Sequence, residues 1–172
     1  MKSCTFFGHR DCPDCVKSKL KDVLSDLIYN HGVDIFYVGN QGRFDAIVLH
    51  VLRELKREFP HIYYAVVLAY IPGKQNRNTD NSDTMLPEGK ETVHPRFAIS
   101  WRNTWMLKHS DFVVTYIAHS WGGASKYGEM ARKMSKKIIN LFEMVESQPL
   151  LKKKSGGKER EKSTDFSLWL FL

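Results

Sequence analysis

WRNTWMLKHSDFVVTYIAHSWGGASKYGE, residues 101–129, is the stretch on which the fold of this chain is decided. It reads as a helix carrying Arg102 and Asn103, a buried strand at residues 111–117 (DFVVTYI), and a glycine pair, Gly122-Gly123, that opens another helix. Strand, glycine turn and helix N-terminus together make an anion site, because the first-turn N–H groups lack partners and the helix dipole is positive there. Arg102, just upstream, adds a guanidinium able to clamp a phosphate or carboxylate with two parallel hydrogen bonds. The segment points to a phosphorylated small molecule, a nucleotide first among them. It leaves open what happens to that molecule.

Working outward, the same alternation recurs. Residues 3–7 (SCTFF) are strand formers that end at Gly8-His9-Arg10. Val16, Leu20, Val23, Leu24, Leu27 and Ile28 then form one apolar stripe at helical spacing, with Pro13 near its first turn and Gly32 beyond its end. Residues 34–38 (DIFYV) are a second strand, closed by Gly39-Asn40-Gln41-Gly42, and Phe44, Ile47, Val48, Val51, Leu52 and Leu55 mark a second helix ended by Pro60. Residues 62–70 (IYYAVVLAY) are the longest strand candidate, apolar on both faces as central parallel strands are. A helix over 96–109 precedes the strand at 111–117, and Tyr127, Met130, Ala131 and Met134 mark the helix after the glycine pair. Residues 137–141 (KIINL) are the last strand, with a short helix beyond.

About five strands alternating with helices predict an α/β fold: a doubly wound, Rossmann-like parallel sheet with helices on both faces and right-handed crossovers. Ligands of such sheets sit beyond the carboxyl ends of the strands, where strand order reverses. With the order 3-2-1-4-5, that crevice lies between the first and fourth strands and receives the loops at 8–10 and 119–124. Two chemically loaded loops converge there without having been chosen for it. Residues 71–95 are polar and rich in turn formers; a loop of about 25 residues is far longer than usual and reads as a lid or binding loop.

Composition sets the bounds. The 172 residues suit one domain, expected at 1–145, with a basic, disordered tail over 146–172 of which 152–172 lie outside the fold. Six basic and three acidic residues between Lys152 and Asp165 supply +3 of the net charge of +7, so the body is only weakly basic. That suits a small anionic ligand better than nucleic acid. No stretch approaches the roughly 20 apolar residues of a membrane span, the start lacks a secretory h-region, and three cysteines argue against a disulfide framework. A cytoplasmic protein with no membrane partner is the expectation.

Gly8-His9-Arg10 closing the first strand, VGNQGRFD at 38–45, and the set Arg102, Asn103, Met106, Ser110, Asp111, Gly122, Gly123 and Ala124 together resemble the SLOG superfamily. That superfamily groups Smf-type DNA-processing proteins, the LOG phosphoribohydrolases and short, uncharacterised bacterial Rossmann-like members, and the similarity is greatest to the last. It runs from about residue 2 to 141 and implies a Rossmann-like fold that binds nucleotides or nucleotide-derived ligands. Measured against the LOG pattern, Arg102, Met106, Ser110, Asp111, Gly122, Gly123 and Glu129 fall into register. Asn103 replaces a lysine, Trp121 replaces a proline, and Ser125-Lys126 stands where Gly-Thr is expected. The resemblance implies Arg102 and Glu129 as the catalytic pair of a nucleoside 5′-monophosphate phosphoribohydrolase, with a binding or sensing module as the leading reading. Single-stranded DNA binding of the Smf type is the third. Related folds dimerise through helices, so a homodimer is the implied oligomer.

Each candidate residue carries a structural alternative. Gly122-Gly123 cradles phosphate or simply turns the chain. Arg102 clamps phosphate or pairs with a surface acid. Glu129 polarises water or is a solvated residue near a helix start, the latter favoured. Gly39, Asn40, Gln41 and Gly42 lack the G-x-G-x-x-G spacing of a dinucleotide site but form a βα turn whose N–H groups can meet a ligand. Asp45 holds a ribose hydroxyl or satisfies helix-start preference. His9 and Arg10 form a positive loop at the first strand's exit; His119, Ser120 and Ser125 belong to the same crevice. Trp121 is expected as a base or ribose platform, whereas Trp101, Trp105, Tyr63, Tyr64 and Tyr70 read as core. Cys12 and Cys15 have redox-motif spacing, yet two small residues at a helix cap explain them better. No metal-ligand cluster is legible; a Mg²⁺ ion carried by a bound phosphate would leave little trace.

Overall fold

The computed structural model describes residues 1–70, 83–89 and 93–146. Six parallel strands, β1 (Lys2–Gly8), β2 (Val33–Val38), β3 (Tyr63–Val67), β4 (Thr84–Met85), β5 (Phe112–Tyr116) and β6 (Lys137–Asn140), form one sheet in the order β4-β3-β2-β1-β5-β6. The helices are α1 (Val16–Tyr29), α2 (Arg43–Glu58), α3 (Ala98–Lys108), α4 (Gly123–Lys133) and α5 (Leu141–Glu146). Strand order therefore reverses at β1, which pairs with β2 on one side and β5 on the other.

Hydrophobic periodicity explains the layers. All six stripe residues of α1 are buried, as are the six of α2, and with α5 they cover one face of the sheet. Met106 and Leu107 of α3 and Tyr127 and Ala131 of α4 pack on Phe7, Val67 and Val113 across the other. Every residue of β5 is buried, as expected of a strand covered on both faces. Lys17–Glu54 at 2.9 Å and Lys21–Glu58 at 2.5 Å tie α1 to α2, but these exposed pairs add little next to the apolar seam beneath.

Three expectations are corrected. The sheet has six strands rather than five, because Thr84 and Met85, inside the segment read as a lid, pair in parallel with Val66 and Val67. A two-residue strand is too short to show a period. Second, β3 stops at Val67 instead of reaching Tyr70, and Tyr63 is 53% exposed, since only the two-residue β4 lies beyond that edge. Third, the helix expected over 96–109 begins as a 3₁₀ turn at Pro95–Phe97 before α3 proper. Residues 71–82 and 90–92 of the expected lid, and 147–172 of the expected tail, lie outside the described residues.

Two side-chain devices fix the loops at the ends of β5. At its start, the Asp111 carboxylate accepts from the Ser3 backbone N–H at 2.9 Å, and Ser110 Oγ donates to the Met106 carbonyl at 2.8 Å. Ser110 and Asp111 thus brace the sheet at the end away from the crevice. Past the end of β5, Asn140 Oδ1 accepts from the Ile117 N–H at 3.0 Å while its Nδ2 donates to the Ile117 carbonyl and to Glu143. One amide therefore pins the chain as it enters the glycine loop.

Gly8, at the exit of β1, has no room for a side chain: a Cβ would stand within the Phe44 ring. Gly8→Ala should lower unfolding free energy by about 1–3 kcal/mol, the usual cost of overpacking, measurable by urea denaturation.

Candidate functional site

The carboxyl ends of β1, β2 and β5 open on a cavity of about 520 Å³. Gly8, His9, Arg10, Gly39, Gln41, Asp45, Arg102, Asn103, His119, Trp121, Gly122 and Gly123 line it. Asn40, Gly42, Ser120, Ser125 and Glu129 do not, although the first four brace or adjoin its wall.

The glycine loop meets α4 through backbone geometry that favours glycine. Gly122 is the N-cap, with φ +92° and no side-chain cap, and Gly123 and Ala124 of the following turn face the cavity. Ser125 is buried and donates its Oγ to the Ser120 carbonyl at 3.0 Å, which closes the loop on itself. Helix α2 starts the same way, with Gly42 at φ +104° as its N-cap. A Cβ on Gly42 would come within 2.9 Å of Arg10 Cγ, so this glycine lets the Arg10 stem cross the start of α2.

Arg102 is 2% exposed, although a helix arginine is ordinarily a surface residue. Its Nη1 donates to Asn40 Oδ1 at 3.1 Å and to the Val67 carbonyl at 3.3 Å, while its buried Nε has no partner. The expected alternative of a surface ion pair does not hold. Asp45, 8% exposed, accepts from the Gln41 N–H at 2.8 Å. Arg102 and Asp45 crowd the same glycine: a Cβ on Gly39 would stand 3.0 Å from Arg102 Nη1 and inside contact distance of Asp45 Oδ2. Burial pushes the Asp45 carboxyl up to about 6, against the opposing pull of the Gln41 N–H and the Arg102 charge. Burial likewise pushes the Arg102 guanidinium down, with Asp45 as the main group holding it up.

The outer wall is a stack of rings. His9 lies on His119 with centroids 3.6 Å apart, and His119 lies on Trp121 at 3.8 Å, within 25° and 15° of parallel. Trp121 is 71% exposed. His9 is buried, and its Nε2 has no hydrogen-bond partner. Burial, reinforced by His119, holds the His9 imidazole below its ordinary value and favours the neutral ring, against the opposing pull of Asp11. His9 leaves β1 and His119 leaves β5, so no local spacing could have announced their contact.

Other residues entered the site unannounced. Tyr127, expected only as a helix-face marker, lines the cavity, stacks on Phe7 at 5.0 Å and donates its hydroxyl to the Ser100 carbonyl. Its apolar spacing on α4 hid the role. Glu129 is exposed on α4 and does not line the cavity. Cys12 is buried, and burial pushes its thiol up to about 12, the opposite of a reactive thiolate. Among the described residues, no group of three or more His, Cys, Asp or Glu is arranged to hold a metal, and no helix is long and apolar enough to cross a membrane.

No family model matches the sequence, and no curated protein matches it. Among solved structures, the fold is similar to that of DNA processing protein A (DprA) from Streptococcus pneumoniae, with a TM-score of 0.59 at 14% identity. The similarity covers 80% of this chain and 49% of that one, so this chain spans about half the length of its structural neighbour. Fold and crevice together define a Rossmann-like α/β protein, similar in fold to that neighbour, with a cavity of about 520 Å³ at the switch in strand order.

Asp45 supplies a test of the cavity's electrostatics. Its folded-state value is raised, so its favourable contribution is complete below the unfolded value and is lost as pH rises through about 6. Asp45→Asn should remove this slope between about pH 4 and 6. At pH 7 it should raise stability by about 1–2 kcal/mol, the relief of burying a charge less the lost helix-dipole interaction. Denaturant unfolding of both proteins across that range measures it.

Proposed function

We propose that this protein binds a nucleotide, or a phosphate ester derived from one, in the cavity between β1 and β5. One observation carries the reading: the N-terminus of α4, which no side chain caps, opens into the cavity that Arg102, Asn103 and His9 also line. Helix-start N–H groups that no side chain caps favour a ligand that supplies acceptors. A phosphate does so, and helix N-terminus and guanidinium both prefer its negative charge. Trp121, exposed and held flat by His119, offers a face on which a base can stack.

Equilibrium dialysis of the full chain against pooled nucleotides, with mass spectrometry of both chambers, tests this. Retention of an intact nucleotide is expected. Recovery of free base with ribose 5-phosphate would instead revive the phosphoribohydrolase reading, which the position of Glu129 outside the cavity does not support. Gly122→Ala places a side chain at φ +92° and should weaken retention about tenfold or more at unchanged fold, because the strained turn withdraws the amides. Trp121→Ala should weaken it by about 1–3 kcal/mol if the base stacks there.

A second reading has its own support. The neighbour is a DNA processing protein, and a largely exposed tryptophan on the same cavity as the exposed Arg10 also suits the end of a single strand. Single-stranded oligonucleotide binding that weakens steeply with salt, and that competes with mononucleotide, would favour it. Retention of mononucleotide without oligonucleotide competition speaks against it.

A further inference from the structure

We infer that His119 takes up a proton when a phosphate monoester binds in the cavity, which makes it the residue that selects a terminal phosphate over the diester of a strand. The inference rests on nucleotide binding in this cavity and adds the charge state of the phosphate that the cavity prefers.

The ring stack gives a charge one place to sit. His9 and His119 lie 3.6 Å apart, so protons on both would set two cations face to face. His9 is the buried ring, and burial together with its neighbour favours its neutral form, against Asp11 and the His119 backbone. His119 is only half-buried and lies flat on Trp121 at 3.8 Å. A proton on His119 therefore rests between two ring faces, one of them a tryptophan, the best aromatic partner for a cation.

The tautomer fixes which atom receives it. His119 Nδ1 lies 3.1 Å from the Trp121 carbonyl, which can only accept, so Nδ1 carries the hydrogen of the neutral ring. The added proton goes to Nε2, which has no hydrogen-bond partner among the described residues. Once protonated, Nε2 becomes a charged donor, and a phosphate oxygen is the acceptor that makes the strongest bond to it.

Without an anion the surroundings oppose that charge. Among the described residues, neither imidazole has a carboxylate within 4 Å. The other ionisable side chains of the cavity are Arg10 and Asp11 after β1, Asp45 on α2, Arg102 on α3 and Tyr127 on α4. Two of these are arginines, and the start of α4 just beyond His119 adds the positive end of a helix dipole. A bound phosphate reverses the balance, and a dianion does so more than a monoanion. Near neutral pH a monoester approaches two negative charges, whereas the diester of a strand keeps one. Tyr127 is pushed up by burial and stays neutral. Asp45, pushed up to about 6, competes for the same proton, so the test has to separate it from His119.

Calorimetric titration of the full chain with AMP, GMP, CMP and UMP at about pH 7.5, repeated in buffers of different ionisation heat, counts the protons exchanged. For whichever base binds, uptake of about half a proton or more is expected. The phosphate itself, bound as the dianion, only releases protons, so the sign is diagnostic. The 5′-(methyl phosphate) diester of the same nucleoside should bind about tenfold or more weaker and without uptake, the scale of a hydrogen bond between charged groups. In His119→Asn, which cannot ionise, the uptake should vanish and the monoester's advantage should shrink about threefold or more. In Asp45→Asn the uptake should persist. Thermal unfolding confirms that both variants are folded. Absence of uptake in the wild type, or equal affinity for monoester and diester, overturns the inference and leaves nucleotide binding intact. Uptake that persists in His119→Asn, or disappears in Asp45→Asn, overturns it too. Where His119→Asn binds too weakly for calorimetry, the imidazole Cε1 proton resonances of the wild type decide. The His119 titration should move to higher pH with monoester bound, and one that does not move overturns the inference. If no mononucleotide binds, nucleotide binding itself fails and the role of His119 falls with it.

Discussion

The reversal of strand order at β1 is the constraint from which the rest follows. Right-handed crossovers send the chain from β1 toward β2 along one face and from the far edge back to β5 along the other. The helices that follow β2 and β5 consequently start on opposite faces, and their N-termini diverge around the end of β1. Nothing in the sheet can fill the gap between them. Both helices begin at a glycine with positive φ and no side-chain cap, so the backbone donors at the rim stay uncovered.

Into that gap the chain places two opposite charges without letting them touch. A buried ion pair in direct contact would be nearly self-sufficient, and removal of either partner would strand the other. Here guanidinium and carboxylate both crowd Gly39, each held by a neutral neighbour: Asn40 and the Val67 carbonyl for Arg102, the Gln41 N–H for Asp45. Both groups are thereby displaced from their ordinary proton affinities in the direction burial dictates. Incomplete satisfaction of this kind is costly in an empty core and useful in a binding cavity.

The architecture was legible because it rests on periodicity. The stripes of α1 and α2 name their own buried residues, and the apolar run of β5 names a central strand. β4 was not, since two residues carry no period and their pairing depends on β3. The meeting of the loops at 8–10 and 119–124 followed from topology alone. What escaped was everything set by contact between distant segments. The burial of Arg102 needs Asn40 and Val67, which lie 62 and 35 residues away. The ring stack joins residues 9, 119 and 121, and Tyr127 enters the cavity wall only because Phe7 lies beneath it. Glu129, in register with a family pattern, faces solvent because α4 buries Ala124, Ser125, Tyr127, Gly128 and Ala131 instead.

The bond between Ser3 and Asp111 has a consequence for the life of the chain on the ribosome. Strand β1 is made first and finds β2 within about 30 residues, but its other edge waits for β5, more than a hundred residues later. At typical elongation rates that interval lasts several seconds. Throughout it, an apolar strand centred on Phe6 and Phe7 presents an open row of amides and carbonyls, the arrangement that recruits foreign strands. A nascent chain of this fold therefore carries one unpaired edge of β1 until β5 emerges.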